Sequence, residues 1–260
     1  MEKSFLLPTN FGDYLTIENA AQRFEEAADV AVKVSSAGVI LHSTLDHAAI
    51  FCEPPSLVAG GLKQVGYVNG WDARCYPSPV DGHDYINVSA RLPERHPART
   101  SGWFDYVAVV HPVDEPARQH MLAQGYGNPF IHHLTWGIVP LQRANADDFT
   151  YASHVVPHTV KQREIIGNAI GDAPGTLIIA LPENVIADAR FEEALPEWLG
   201  NLDEDEYQVE AMQGGGFLIQ FFVLTGGRIE VAMRADTTQT FNPKSVHKIS
   251  EDEISAVQGE

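Results

Sequence analysis

Cysteine is nearly absent: Cys52 and Cys75 are the only two in 260 residues, and they do not form a C-x-x-C pair. A disulfide scaffold, a zinc knuckle and a redox dithiol are therefore unreadable, and both residues are expected as reduced thiols. Long apolar runs are missing too. The longest, GGFLIQFFVLTGG, falls well short of the ~20 residues a membrane-spanning helix needs, and its β-branched and aromatic residues suit strands. No membrane span is expected. The opening MEKSFLLPTNFGDYL carries only a short apolar patch where a secretory leader needs an apolar run of about 7–15 residues, so a cytoplasmic location is expected. Basic residues are scarce, 17 Lys and Arg against 35 Asp and Glu for a formal charge of −18, which leaves no basic stripe for a nucleic-acid backbone or an anionic membrane. Neither partner is expected. No Ser sits in a Gly-x-Ser-x-Gly elbow, Ser89 included, and the run Gly214-Gly215-Gly216 lacks the Lys-Ser/Thr ending of a phosphate loop. A serine hydrolase and a P-loop enzyme drop out.

What is present is a hydrophobic content of 44%, enough for a packed core. TIENAAQRFEEAADVAVK repeats apolar residues at helical spacing, with Thr16 placed to cap it. From Gly38 the texture changes to short runs punctuated by turn residues: DHAAIFCE, GGLKQVGYVNGWDARCYPSP and DYINVSARLPE, read as three or four strands. Asn69-Gly70 is a hairpin signal, because both residues tolerate positive φ. WFDYVAVVHP reads as a strand, EPARQHMLAQ as a helix and FIHHLTWGIVP as a strand. Helical TVKQREIIGNAIG, strand-like GTLIIALP and helical NVIADARFEEALPEWL follow. The acidic NLDEDE reads as a solvated loop, and GGFLIQFFVLTGGRIEVAMRAD as two strands joined at Thr225-Gly226-Gly227. The terminal EDEISAVQGE is polar enough to fray.

Two matched pairs suggest an internal repeat. Asp46-His47-Ala48-Ala49-Ile50 parallels His132-His133-Leu134-Thr135-Trp136, and YINVSAR parallels RIEVAMR, aligning Asn87 with Glu230 and Arg91 with Arg234. Each half then runs from a His-bearing strand to an Arg-ending strand. His47 and Asn87 are 40 residues apart and His133 and Glu230 are 97 apart, so the second half must carry an insertion. The chain reads as a single domain, residues 1–260, with a first module over about 35–112 and a second over about 128–245, the helical insertion lying at about 145–205.

Alternation along a strand puts His47, Ala49 and Phe51 on one face, and likewise His133, Thr135 and Gly137, and Glu230, Ala232 and Arg234. Asn87, Ser89 and Arg91 make a fourth row. If these rows face one cleft, two imidazoles and one carboxylate converge within reach of one ion, each ligand atom about 2.3 Å or less from it. Such a set with open positions suits non-haem Fe(II) and also fits catalytic Zn²⁺. His132, on the other face by alternation, takes a supporting role, and His42, His83, His111 and His154 stay unassigned.

Carried by DHAAI, by GYGNPFIHHLTW and by the Glu of RIEVAMR, the chain resembles the vicinal oxygen chelate superfamily, and within it the bacterial 2-oxoadipate dioxygenase/decarboxylase family with its shorter relatives. The resemblance implies an α+β fold of paired βαβββ modules, whose curved, partly open barrel-like sheet surrounds a metal cleft with flanking helices. It implies metal ligands at His47, His133 and Glu230, and a dioxygenase-type reaction on a 2-oxo acid. The family places an Arg four residues after its first His; here that position is Phe51. The substrate-binding guanidinium would then fall to Arg91 or Arg234, either of which can clamp a carboxylate with two hydrogen bonds or close a strand end by an ion pair.

Three functions follow as expectations. The first is an Fe(II)-dependent dioxygenase or decarboxylase acting on a small 2-oxo acid or related compound. The second is a Zn- or Ni-dependent lyase, isomerase or hydrolase on the same scaffold, and the third a non-catalytic small-molecule-binding protein. A small-molecule substrate is the expected partner, with the chain a monomer or a homodimer.

Overall fold

The computed structural model describes residues 17–68, 73–77, 82–93, 97, 104, 106–123, 127–142, 146–212, 216–223 and 229–235. Among them are six helices and nine strands, an α+β fold as the sequence predicts. The Thr16 cap, the Asn69-Gly70 hairpin, the Thr225–Gly227 connection and the polar C-terminus lie outside the described residues. No helix among the described residues is long and apolar enough to cross a membrane.

The chain divides into two compact units, residues 1–29, 43–136 and 245–260 in one and residues 30–42 and 137–244 in the other. The first holds most of helix α1 (Ala20–Ser36), strand β1 (Leu41–Phe51), helix α2 (Ser56–Val65), strands β2 (Ala73–Pro77), β3 (Asp84–Arg91) and β4 (Tyr106–Pro112), helix α3 (Glu115–Leu122) and most of β5 (Phe130–Ile138). β1 pairs parallel to β4, and β3 is antiparallel to both β2 and β4. From β1 to β4 this is a βαβββ unit.

Helix α2 occupies sequence that reads as strand and loop, because Gly60-Gly61 argues against a helix interior. Packing overrides the propensity: Val58, Ala59, Leu62 and Val65 recur at helical spacing and are buried, while Gly60 faces open space. Gly66, at φ 108°, ends the helix in the left-handed conformation, its N–H shared between the Leu62 and Lys63 carbonyls. Asp114 caps α3 by accepting the Ala117 N–H. Ala117 and Met121 of α3 pack on Ala49, Phe51, Ala108, Val110 and Phe130, so Phe51 is core.

The buried Asn19 side chain fixes β5 to the turn before α1: its Nδ2 donates to the Ile131 carbonyl at 3.1 Å and its Oδ1 accepts the Ile131 N–H at 2.8 Å. Asn19→Ala should cost ~2–3 kcal/mol, because two buried backbone groups lose their partners while the hydrophobic gain is small. Thermal unfolding of the metal-free protein would show it as a lower Tm; an unchanged Tm would mean that water takes over both bonds.

The second unit carries helix α4 (Asp148–Ile170), strand β6 (Leu177–Pro182), helices α5 (Glu183–Ile186) and α6 (Phe191–Leu199), and strands β7 (Tyr207–Met212), β8 (Phe217–Val223) and β9 (Ile229–Ala235). β6 is parallel to β7 and antiparallel to β8, which is antiparallel to β9. β7 is not readable in the sequence: it follows the acidic loop directly, and its residues are mostly half-exposed. That loop is tied down and not merely solvated. Glu206 accepts the Asp203 N–H at 3.1 Å and pairs at 3.2 Å with the buried Arg163, whose guanidinium also donates to the Pro174 and Gly175 carbonyls.

Strand order is β2-β3-β4-β1-β5 in the first unit and β9-β8-β6-β7 in the second. β4 is the last strand of the βαβββ unit and antiparallel to β3, as β9 is the last strand of the second compact unit and antiparallel to β8, so the topological counterpart of β9 is β4. The expected match of YINVSAR with RIEVAMR is therefore out of place, because YINVSAR forms β3, third of four and one position beyond β4. Strand composition is too narrow for a seven-residue likeness to fix position in a sheet. The insertion that separates the two halves comprises α5, α6 and the edge strand β7, together with the longer α4.

Candidate metal centre

His47 lies in the middle of the eleven-residue β1 and not at its start as the sequence suggests. In the β1–β4 register it stands opposite Tyr106, and Tyr106 in turn stands opposite Arg91 of β3. One row thus crosses three strands on a common face. The His47 imidazole stacks on the Tyr106 ring at 4.4 Å and 18°, and the Arg91 guanidinium sits 5.2 Å from the centre of the same ring.

Both nitrogens of the buried His47 are spoken for. Nδ1 donates to Asp46 Oδ2 at 2.7 Å, which fixes the tautomer and leaves the Nε2 lone pair available. Nε2 faces His133 Nε2 at 3.3 Å and Thr135 Oγ1 at 3.1 Å. His133 is held from behind, its Nδ1 lying 2.8 Å from Nδ1 of the buried His132. The 3.3 Å separation of the two Nε2 atoms has a simple meaning. Ligand nitrogens each about 2.1 Å from one ion stand about 3.0 Å apart along an octahedral edge and about 3.4 Å apart along a tetrahedral one.

Glu230 of β9 is buried, and His47, His133 and Glu230 each offer one ligand atom such that all three atoms lie within 4.8 Å of one another. Two neutral imidazoles and a carboxylate are a donor set that takes first-row divalent ions. Such ions hold imidazole by a nitrogen whose ring partner is anchored by hydrogen bonding, and here both rings are so anchored. The cluster fits a metal ion.

The other candidates are not among the three residues of the cluster. Arg91 is exposed, with no carboxylate partner among the described residues, and Arg234 is half-buried on β9 opposite Leu218. Asn87 is half-buried on β3 opposite Val110, two strands from β1. Phe51, standing where the resembling family has Arg, is wholly enclosed. Cys52 is buried, which pushes its thiol up to about 12, so it is no nucleophile at neutral pH. His154 donates from Nδ1 to the Thr150 carbonyl at 2.6 Å, one turn back on α4. Burial lowers the pKa of His111.

Tyr106 was missed by sequence reasoning, since nothing in a sequence fixes the register of β1 against β4. Asp46 was visible as the residue before His47, but its bond to the ring follows only from the coordinates.

Fold and donor set together define an α+β protein with a metal-competent His-His-Glu cluster. No family model and no curated protein matches the chain. Among solved structures it is similar to a mutant of 4-hydroxymandelate synthase from Streptomyces coelicolor, at 16% identity and a TM-score of 0.41 over 76% of this chain and 50% of that one. It is also similar to a xylose isomerase-like TIM barrel/4-hydroxyphenylpyruvate dioxygenase fusion protein, at 15% identity and a TM-score of 0.33 over 76% of this chain and 27% of that one. The chain spans half the length of the first structure and about a quarter of the second.

Proposed function

We propose that His47, His133 and Glu230 hold one divalent ion, Fe(II) in preference to Zn²⁺ or Ni²⁺, and that the protein is a metal-dependent dioxygenase acting on a small 2-oxo acid or related oxygenated compound. The observation that carries this reading is the approach of the three ligand atoms to within 4.8 Å. A bound ion of this kind supplies Lewis acidity and open positions for O₂ and substrate oxygens. The protein's part is to orient and exclude. Asp46 and His132 hold the two imidazoles, and the burial of His47, Thr135 and Glu230 keeps bulk water away.

Arg91 is the better substrate anchor of the two arginines. Its guanidinium is exposed and lies over Tyr106, the ring that stacks on His47, so it can offer a carboxylate two hydrogen bonds one ring away from the proposed ligands. Arg234 closes the end of β9. The substrate is a small molecule, and the chain works in the cytoplasm as a monomer or homodimer.

Metal analysis of protein purified without air, followed by O₂ uptake with a panel of 2-oxo acids, tests the reading. Retained iron with substrate-dependent uptake is expected. Zinc without uptake would favour a lyase, isomerase or hydrolase, and no retained metal would favour a non-catalytic binding protein.

Asp46→Asn probes the support of His47. Outer partners of ligating histidines are worth ~10–100-fold in metal affinity, and an amide that can turn its oxygen or its NH₂ toward Nδ1 no longer enforces the tautomer. Competitive Zn²⁺ titration should show a loss in that range; unchanged affinity would mean that the Asp46 contact does not set the tautomer.

A further inference from the structure

Thr135 is wholly buried, and its hydroxyl oxygen lies 3.1 Å from His47 Nε2, close to the 3.3 Å that separates the two imidazole nitrogens. It stands two residues after His133 on β5 and so on the same face. An oxygen at that distance from a ligand atom lies one polyhedron edge away, where the occupant of an adjoining position would be, or within hydrogen-bond reach of it. A neutral threonine hydroxyl is a weak ligand compared with imidazole or carboxylate, but it is a good donor to an anionic oxygen.

On the reading that His47, His133 and Glu230 hold one ion, we propose that Thr135 is a positioning residue whose hydroxyl donates a hydrogen bond to the substrate oxygen taking an open position beside His47, selecting oxygen-donor ligands that arrive as anions. While that position is empty, the Thr135 O–H donates to His47 Nε2; when an ion takes the Nε2 lone pair, the hydroxyl turns toward the incoming oxygen. The proposal accounts for a polar residue on a strand whose neighbours Leu134 and Trp136 are fully buried hydrophobics.

The test uses the full chain loaded with Co²⁺, with acetohydroxamate as the oxygen-donor probe, both followed by visible absorption. Thr135→Val keeps shape and loses the donor, whereas Thr135→Ser keeps it. A hydrogen bond to an anionic oxygen is worth roughly a factor of ten or more in affinity. Acetohydroxamate should therefore bind the Val variant about tenfold more weakly, the Ser variant should regain most of the loss, and Co²⁺ itself should bind all three alike. Equal hydroxamate affinity in wild type and Thr135→Val, with Co²⁺ bound in both, would overturn the role of Thr135 alone. A loss of Co²⁺ affinity confined to Thr135→Val would also overturn it, making Thr135 a ligand. A wild-type chain that binds no Co²⁺ would overturn the metal centre and this inference with it.

Discussion

Glu230→Ala should lose metal-dependent activity altogether while the chain still folds. Among the proposed ligands Glu230 is the only anion; His47 and His133 bind as neutral imidazoles. Removing it leaves two nitrogens and takes away the charge that most strongly attracts a divalent cation. Outer partners of metal ligands alone are worth ~10–100-fold in affinity, so a lost carboxylate ligand should cost more than ~100-fold. The fold should survive because the neighbours that hold β9 are untouched. Val231, Ala232 and Met233 are buried, and the β8–β9 ladder runs from Phe217–Ala235 to Val223–Ile229 through main-chain bonds that the substitution leaves alone.

The decisive comparison is of melting curves. Metal stabilises the folded chain by mass action, so wild type should melt higher with added metal than without, and Glu230→Ala should melt like metal-stripped wild type under both conditions. Glu230→Gln separates charge from shape, since it keeps the volume and loses the anion; it should fall with Ala on metal affinity and with wild type on metal-free Tm. A Glu230→Ala protein that keeps full metal occupancy would reduce Glu230 to a buried strand carboxylate and move the metal elsewhere.

The three ligands proposed here stand in the sequence as a His or a Glu within short strand-like runs, and such a pattern is local. His133 and Glu230 each head a row of small or polar residues, whereas the row of His47 runs through Ala49 to the large apolar Phe51. What local pattern does not encode is which strand lies beside which. The likeness of YINVSAR to RIEVAMR pointed to equivalent last strands, yet the sheet puts β4 next to β1, so the aromatic that stacks on His47 is Tyr106 and the position opposite Phe51 is Val110. Helix α2 and strand β7 escaped for the opposite reason. Their local signals are poor, a Gly-Gly pair in one and a half-exposed edge in the other; α2 is fixed by its buried face and β7 by its pairing with β6. The acidic loop misled through composition: Glu206 looks like solvated charge until Arg163, 43 residues earlier, is seen to reach it.

Trp136→Ala should be the most destabilising single change around the centre. The ring is fully enclosed, and its indole N–H donates to the Ala27 carbonyl of α1 at 2.9 Å. On β5 it points away from His133 and Thr135, so with Asn19 it fastens the back of the strand whose front carries the site. Truncating a buried Trp typically costs ~3–5 kcal/mol through lost transfer energy and the cavity left behind. For a chain of this size that corresponds to a fall of roughly 10 °C in Tm. Trp136→Phe keeps most of the ring but leaves a smaller void and no donor for Ala27, and should cost ~1–2 kcal/mol. Metal binding adds a second readout. With its back anchor gone, β5 holds His133 less firmly, so metal affinity should weaken in Trp136→Ala and much less in Trp136→Phe, although neither residue touches the ion. If Trp136→Ala unfolds outright, Trp136→Phe and Asn19→Ala still test whether the two anchors act on one strand: their effects on metal affinity should be non-additive, because either loss alone frees the same segment. Additive effects would mean that the two contacts hold β5 independently, and that the site gains no rigidity from α1 as a unit.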